Sequence, residues 1–488
     1  MIIPFGEYRP DVSALSPGST ALAKNVLPGP DGSYLPWPSA ALMISPVSAE
    51  IRGVISVRAL DRTNYLYAAT AQKIMQMAGR NWIDRGTGYS MTGSEMWSFA
   101  QFRDRVIAVS AENPVLWSVI NSASFSPMIA SVRVPRARHV AVVNREWVVL
   151  GNVIDPVDGE RPGRVWWLAR GDPTKAGPDT LIQADFEDMD AWDGEVQGIV
   201  GFEYGVVICR RAIWRMTYEG GDVGFRFDKM VTNKGATAPG SIVSFGRLVF
   251  FWDRDGPYVF DGTAATPIGD GKIATTFVSL LNQNSRQWIS STVIPRQTVV
   301  VWALPTHRDF ADRLLAYNWV TKQWSFAEIE AERIFGTYSQ PMFTDDPSVA
   351  DAMIDGMPYA SWPLDGEQFQ GGVESMAMFA PDHSLRFFNG PPMEATIDTA
   401  ELALAGQKRV SITKVRPMVD GAATAMVSIG SRDTLGETER YSPEAGLNLI
   451  GHANLFAQGR FIRARVRLPS GFAHALGVDI DFTQEGLL

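Results

Sequence analysis

Residues 196–227, VQGIVGFEYGVVICRRAIWRMTYEGGDVGFRF, contain the pattern that decides the fold. Short runs rich in Val, Ile, Phe and Trp follow one another, and glycines or charged residues separate each run from the next. Runs of about four to eight such residues bounded by turn residues are typical of β-strands joined by tight turns. The segment therefore predicts a four-stranded antiparallel meander.

The same grouping recurs along most of the chain. Further groups of strand-like runs begin near residues 54, 97, 139, 242, 288 and 334. Their spacing of roughly 40 to 60 residues is the length of a four-stranded propeller blade, whereas helical periodicity is nearly absent. The chain is therefore predicted to be all-β, with a propeller-like array of about six to eight antiparallel blades over residues 51–392. A set of β-sandwiches is the alternative fold.

Three segments stand outside this repeat. Residues 1–50 are rich in Pro and Gly and predict an extended N-terminal arm without packed elements of its own. Tyr34 and Trp37 need an apolar surface, so the arm is expected to cross onto a neighbouring subunit or to add a strand to a late blade, and both residues are interface candidates. Residues 344–372 are acidic and predict an excursion loop, and residues 393–488 predict a C-terminal β-domain or an atypical closing blade.

Composition narrows the class of protein. Of 488 residues, 45% are hydrophobic and 20% are charged, which is typical of a globular chain. The net charge of -9 disfavours a general nucleic-acid binder, because such binding depends on cations that neutralise phosphates. Cys209 is the sole cysteine, which excludes a disulfide framework and a Cys-rich zinc site and predicts an inert buried thiol. The N-terminus does not resemble a signal peptide and no long apolar run occurs, so neither secretion nor membrane insertion is expected.

Several motifs resemble metal or phosphate sites, but their spacing fits loops and turns better. The acidic run 185–195 could hold Ca²⁺, but its spacing does not fit an EF-hand, so a solvated loop is the alternative. Asp253 to Gly256 predicts a hairpin turn. Residues 269–272, GDGK, resemble a phosphate loop, but Ile273 follows where Ser or Thr is needed. We therefore expect no catalytic, cofactor or metal site, and no enzyme.

The stretch 459–469, GRFIRARVRLP, alternates strictly between apolar and polar residues from Ile462 to Leu468. As a strand it places Arg463, Arg465 and Arg467 on one face, and we call these three residues the arginine ladder. Stacked guanidiniums repel one another unless anions face them. Carboxylates of a neighbouring strand or subunit, a solvated surface and a nucleic-acid backbone are the three alternatives, of which we expect carboxylates.

Several stretches together resemble a known family. They include WIDRGTGYSMTGSEMWSFAQFRDRVIAV at 82–109, ARHVAVVNREWVVLG at 137–151, LVFFWDRDGPYVFDGTAATPIGDG at 248–271 and GRFIRARVRLPSG at 459–471. The chain is similar over roughly residues 20–480 to the propeller-type tail hub or nozzle proteins of tailed phages, also called packaged-DNA stabilisation proteins. Arg103 departs from the family pattern, because a small residue such as glycine is expected in that turn.

The resemblance implies a structural virion protein with no enzymatic residues. Such a protein forms a ring, commonly a hexamer, that closes the short tail below the adaptor and serves as the exit conduit for DNA. The implied partners are further copies of the chain, the adaptor or head–tail connector, tail fibres or spikes, and double-stranded DNA in passage. The implied location is the virion tail, assembled in the host cytoplasm. An acidic body suits a conduit, because a wall that attracted phosphates would retain the genome.

A propeller glycosidase or carbohydrate-binding module is the second hypothesis. Glycosidases use two carboxylates roughly 5 to 10 Å apart, and a propeller can gather them at its axis. The candidate carboxylates are Asp84, Asp104, Asp253 and Asp312.

Overall fold

The computed structural model describes residues 1–16, 18–44, 46–128, 133–221, 224–306, 310–338, 374–406, 408–421 and 424–484. The predicted excursion loop 344–372 lies outside these residues. Strands dominate the described chain, which is all-β as predicted. Its helical elements are the short α1 (Ala274–Leu280) and the 3₁₀ turns Ala191–Asp193, Pro239–Ser241, Gln283–Trp288 and Pro295–Gln297.

The first 50 residues form short strands that pair mainly with strands much later in the chain. In the described part of this segment they are β1 (Ile2–Pro4), β2 (Glu7–Tyr8), β3 (Ser19–Lys24), β4 (Val26–Pro28), β5 (Tyr34–Pro36) and β6 (Ala41–Ile44). The prediction of an arm without packed elements is therefore wrong. Proline at the end of a short strand removes only its own donor, so the rest of the strand still pairs.

Residues 53–267 form five successive antiparallel sheets, each a four-stranded meander. Blade 1 contains β7 (Gly53–Arg58), β8 (Asn64–Ala69), β9 (Lys73–Ala78) and β10 (Asn81–Thr87); blade 2 contains β11 (Ser98–Phe102), β12 (Arg105–Val109), β13 (Leu116–Val119) and β14 (Ser126–Pro127); blade 3 contains β15 (Arg136–Val143), β16 (Trp147–Asp155), β17 (Gly159–Trp167) and β18 (Asp185–Asp188); blade 4 contains β19 (Val196–Gly201), β20 (Gly205–Cys209), β21 (Ala212–Gly220) and β22 (Gly224–Thr232); blade 5 contains β23 (Val243–Phe245), β24 (Leu248–Asp253), β25 (Gly256–Phe260) and β26 (Ala265–Pro267).

The last two blades depart from this simple order. Blade 6 contains β27 (Ser290–Ile294), β28 (Val299–Leu304), β29 (Ala311–Asn318) and β30 (Trp324–Ala331), and blade 7 contains β31 (Arg333–Tyr338), β32 (Glu374–Phe379), β33 (Leu385–Phe387) and the N-terminal strand β6. In blade 7, Leu385 lies opposite Ile44 and Phe387 opposite Ala41. The N-terminal segment was predicted either to cross onto a neighbouring subunit or to add a strand to a late blade. The pairing of β6 with β33 shows the second of these roles.

The first strands of the blades surround one axis. They contact one another in chain order from β7 to β19 and from β23 to β31, and β31 contacts β7. Blades 4 and 5 approach so closely that a Cβ atom on Gly198 would lie 2.6 Å from Cδ1 of Ile242, so glycine lets the Ile242 side chain pack directly against this backbone. The described residues therefore form a closed propeller of seven blades, which confirms the predicted fold class.

A separate hydrophobic core lies between each pair of consecutive blades. Trp147 of blade 3 and Cys209 of blade 4 are fully buried in one of these cores. Phe379 of blade 7 and Met75 of blade 1 share another, which closes the ring. Complete burial of a large apolar side chain contributes about 1.5–3 kcal/mol, so the interfaces between blades stabilise sheets that could not bury both faces alone.

The C-terminal strands pack as a second β-unit against the outer edge of blade 6. They are β34 (Ala395–Thr399), β35 (Val410–Asp420), β36 (Met426–Arg432), β37 (Arg440–Tyr441), β38 (Ala445–Gly446), β39 (Ala453–Gly459), β40 (Phe461–Leu468) and β41 (His474–Gln484). One sheet continues blade 6 from β30 through β3, β34, β40 and β36, and a second has the order β39-β35-β41-β5-β4. A single core joins Val466 and Val415 of these sheets to Trp252 and Trp302 of blades 5 and 6. The C-terminal β-unit and the propeller are therefore continuous.

Arg103 lies in the turn between β11 and β12, at the position where a small residue such as glycine was expected. Its φ of 55° lies in the left-handed region that favours glycine, so a small residue is expected there on conformational grounds. Arg103 donates from Nη1 to the carbonyl oxygen of Gly171 at 3.3 Å.

Candidate functional site

The arginine ladder lies on β40, with the predicted alternation. Ile462, Ala464, Val466 and Leu468 are buried, and the three arginines lie on the opposite face of the strand. The apolar face belongs to the core shared with the propeller. Period-two alternation therefore places the ladder on the outer face of the sheet.

Carboxylates of the same chain face each member of the ladder. Arg465 donates from Nε and Nη2 to the two oxygens of Asp398 on β34, at 2.8 and 2.7 Å. Arg463 donates from Nη1 to Glu439 at 3.2 Å, and Arg467 donates from Nε to Glu444 at 2.9 Å and from Nη1 to Glu394 at 3.3 Å. Of the three alternatives considered for the ladder, the side-chain contacts match the carboxylates.

The pairs differ in burial. The side chain of Asp398 is 3% exposed, and the ring of Tyr441 covers the guanidinium of Arg465 at 4.2 Å. The Arg467 partners are 41% and 55% exposed. Hydrogen bonding by Asp398 raises the pKa of Arg465 above its ordinary value, and hydrogen bonding by Arg467 lowers the pKa of Glu444. The ladder therefore has one largely buried pair and one exposed pair on the same strand.

Tyr34 and Trp37 do not present a surface to another subunit. Both are fully buried within this chain. Tyr34 donates from its hydroxyl to the carbonyl oxygen of Gly6 at 3.0 Å, and Trp37 lies in the core between blades 6 and 7. Because the strands of the N-terminal segment pair inside the subunit, their aromatic side chains fill its cores. Their assignment as interface candidates is therefore wrong.

A cavity of about 530 Å³ lies on the propeller axis, where the innermost strands begin. Each blade contributes lining residues. In blade order they include Val54, Trp97, His139, Gln197, Ile242, Gln287 and Arg333. The repeat predicts an axis but does not indicate which side chains surround it. The cavity is therefore the part of the structure that sequence reasoning missed.

Two basic side chains of the cavity are not available as free cations, because one is paired and the other is neutral. Arg138 donates from Nη2 to Glu95 at 2.7 Å and from Nη1 to the side-chain oxygen of Asn152 at 3.2 Å. Burial lowers the pKa of His139 from 6.5 to about 4, so its ring is neutral at pH 7. Glu195, which also lines the cavity, pairs with Arg210 at 3.2 Å.

Arg333 differs from the other charged residues of the cavity. No ion pair to its guanidinium is found among the described residues; its Nη2 lies 3.3 Å from Sδ of Met96, and its Nε is buried without a hydrogen-bond partner. Burial lowers the pKa of Arg333. The neighbouring Glu332 is held by His383 at 2.8 Å and does not form an ion pair with Arg333. The one feature of the sequence that could have indicated this site is a charged residue at the start of an inner strand, in ERIFGTY at 332–338.

The candidate glycosidase carboxylates do not gather at the axis. Asp84 pairs with Lys73 at 3.1 Å, and Asp253 lies 3.5 Å from Lys234. Asp312 accepts from the backbone and hydroxyl of Thr306, and Asp104 lies in the turn after β11. The cavity lining includes none of the four described carboxylates. Asp84 lies within the outer strand β10 rather than at a strand end or turn, whereas the other three lie near strand ends or in a turn. The meander places all four positions away from the axial cavity.

The other motifs have structural explanations. Asp253 lies opposite Gly256 across the β24–β25 hairpin, as predicted. Lys272 of the phosphate-loop-like stretch is paired with Glu7. Within the described ranges no group of three or more His, Cys, Asp or Glu side chains could hold a metal ion, so the acidic run 185–195 provides no such site. Burial raises the pKa of Cys209 to about 12, which fits the inert thiol predicted. Among described helices, none is long and apolar enough to cross a membrane.

Comparison with known proteins does not place the chain in a family. No protein-family model matches it, and no curated protein matches it. Among solved structures, it is similar to the computationally designed Ika8 protein, with a TM-score of 0.39 and 10% identity over 71% of this chain and 99% of that chain. Similarity at this level supports no statement about function.

Proposed function

We propose that this chain is a structural tail protein of a tailed phage. In this proposal, several copies form a ring, with a hexamer as the expected state, below the adaptor or head–tail connector. Tail fibres or spikes attach to the ring, and the DNA leaves through it without chemical change. The chain has no enzymatic role in this function.

The residues that carry the family resemblance support a structural role. Strands β11 and β12 carry WSFAQF and DRVIAV, and their apolar residues fill the cores on both sides of blade 2. The stretch LVFFWDRDGPYVF forms the β24–β25 hairpin, and GRFIRARVRL forms β40 with its paired arginines. These residues fill hydrophobic cores, form a hairpin turn and form ion pairs. Such roles stabilise the fold, as a rigid ring component requires.

The observation that carries the proposal is an exposed apolar edge on the C-terminal β-unit. Strand β39 is the edge of its sheet, and Phe456 on this strand is 63% exposed. The turn before it exposes Leu449 fully and Ile450 by 68%. Unpaired strand edges and clustered exposed apolar side chains are features of interaction surfaces. A second copy of the chain would cover this edge in a ring.

Native mass measurement combined with electron microscopy tests the proposal. The purified chain should have the mass of several subunits and appear as rings with a central hole. Leu449→Asp/Phe456→Asp should yield single subunits, because two carboxylates in a desolvated interface oppose association. Leu181→Asp is the matched control: Leu181 is 92% exposed on blade 3, away from the edge, and its substitution should leave rings intact. A monodisperse monomer of the unmodified chain would overturn the proposal.

A carbohydrate-binding propeller is the second candidate function, and the axial cavity favours it. The carboxylates Glu95 and Glu195 of the cavity are both paired with arginines. Because arginines hold both carboxylates, neither is free to serve as one of the two catalytic carboxyl groups that a glycosidase uses. If the cavity serves a sugar, binding is therefore the better supported activity than hydrolysis.

A further inference from the structure

We propose that the axial cavity binds a small hydroxylated monocarboxylate, of the size and chemistry of a sugar acid, with the guanidinium of Arg333 as its charge partner. The proposal does not depend on the tail-ring function. It rests on the contacts inside the cavity.

Most charged side chains that line the cavity already have a partner. Arg138 is paired with Glu95, and the lining residue Glu195 is paired with Arg210. His139 is neutral at pH 7, since burial disfavours its cationic form. Arg333 is therefore the cation that forms no ion pair among the described lining residues of the cavity, although the carboxylates of Glu332 and Glu50 act on it electrostatically. One such charge matches a monoanion, because Arg138 and Arg210 are already engaged by Glu95 and Glu195 and leave no second free cation for a dianion or a polyanion.

The guanidinium of Arg333 needs a partner that carries negative charge. An arginine is almost always charged, and a buried charge without a partner is costly. The nearest candidate along the chain, Glu332, is engaged by His383 and by the backbone amide of Ile51. Arginine presents a planar fork that pairs with a carboxylate through two parallel hydrogen bonds. A bound carboxylate would therefore supply the interaction that the described chain does not supply.

The remaining walls of the cavity combine amide and apolar side chains. The side chains of Gln197 and Gln287 offer amide donors and acceptors that suit hydroxyl groups. Trp97, Phe99 and Ile242 supply apolar surface. A volume of about 530 Å³ lies within the usual range for small-molecule sites, which combine apolar walls with a few polar groups. The cavity thus suits a compact ring with one carboxylate and several hydroxyls.

The test measures binding of D-galacturonate to the full-length chain by calorimetry. D-galactose and the amide of galacturonic acid are the neutral probes of matched size. The acid should bind saturably, whereas both neutral probes should bind about tenfold more weakly or not at all, because they lack the charge-assisted pair. This comparison uses the unmodified protein, so it does not depend on how any variant folds.

Variants then assign the charge partner. Arg333→Gln should weaken galacturonate binding by about tenfold or more, with folding checked by circular dichroism. The matched control is Arg247→Gln, because Arg247 is exposed in the β23–β24 turn and does not line the cavity. It should bind like the unmodified chain. The proposal is overturned if the neutral probes bind as tightly as the acid, if Arg333→Gln retains full affinity, or if no saturable binding occurs up to about 10 mM.

Discussion

Removal of Arg465 should destabilise the protein much more than removal of Arg467, although both lie on the same face of β40. Arg465→Met leaves the carboxylate of Asp398, which is 3% exposed, without its partner. Breaking a buried pair costs about 3–5 kcal/mol, whereas exposed pairs contribute about 0–1 kcal/mol. Because the Arg465 side chain is 34% exposed, water reaches part of the pair, and we expect a cost of about 2–3 kcal/mol.

Arg467→Met is the matched control. It removes the same charge and keeps a similar apolar stem, but its partners Glu444 and Glu394 are substantially exposed. We expect a loss of about 0–1 kcal/mol in the free energy of unfolding, measured by urea denaturation. The double substitution Arg465→Met/Asp398→Leu should be less destabilising than Arg465→Met alone, because it leaves no buried charge.

Equal losses for the two single variants would refute this reasoning, since burial would then not govern the strength of the pairs. The DNA hypothesis for the ladder has its own readout. Replacing Arg463, Arg465 and Arg467 together by Ala should weaken folding or assembly and leave any salt-dependent DNA binding unchanged. Normal assembly with loss of DNA binding would identify the ladder as a DNA contact.

Three further predictions concern single buried residues. Trp37→Ala should lower the free energy of unfolding by about 3–5 kcal/mol in denaturant titrations, because it opens a cavity in the core between blades 6 and 7; a change below about 1 kcal/mol would contradict that packing. Cys209 should resist a thiol reagent at pH 8 in the native protein and react in denaturant, since its pKa of about 12 disfavours the thiolate; rapid native reaction would contradict its burial. The folded-state pKa of His139 is lowered from 6.5 to about 4, so the unfolded chain takes up the proton first as the pH falls. At about 1.36 kcal/mol per pH unit, up to about 3 kcal/mol of stability should be lost between pH 6.5 and 4, and His139→Gln should lessen that loss in pH-dependent denaturation; identical pH profiles would contradict the assignment.

Local pattern alone determined the strands of the propeller repeat, although not the short strands of the first 50 residues. The meander at 196–227 appears as β19–β22. Alternation in β40 identified which face is apolar, because side chains in a strand point to opposite faces with a period of two. Turn chemistry likewise identified the hairpin at Asp253–Gly256. These features depend on neighbours in sequence and therefore follow from sequence.

Tertiary structure decided everything that depends on contacts between distant residues. Strand β6 completes blade 7 by pairing with β33, and β5 pairs with β41, in both cases across more than 300 residues. These pairings turned Tyr34 and Trp37 from interface candidates into core residues. The partner of Arg465 and the isolation of Arg333 could not be predicted either, because periodicity indicates the face on which a charge lies but not which side chain faces it. Residues in or just before the first strands of all seven blades line the axial cavity, so its chemistry is a property of the closed ring and of no single repeat.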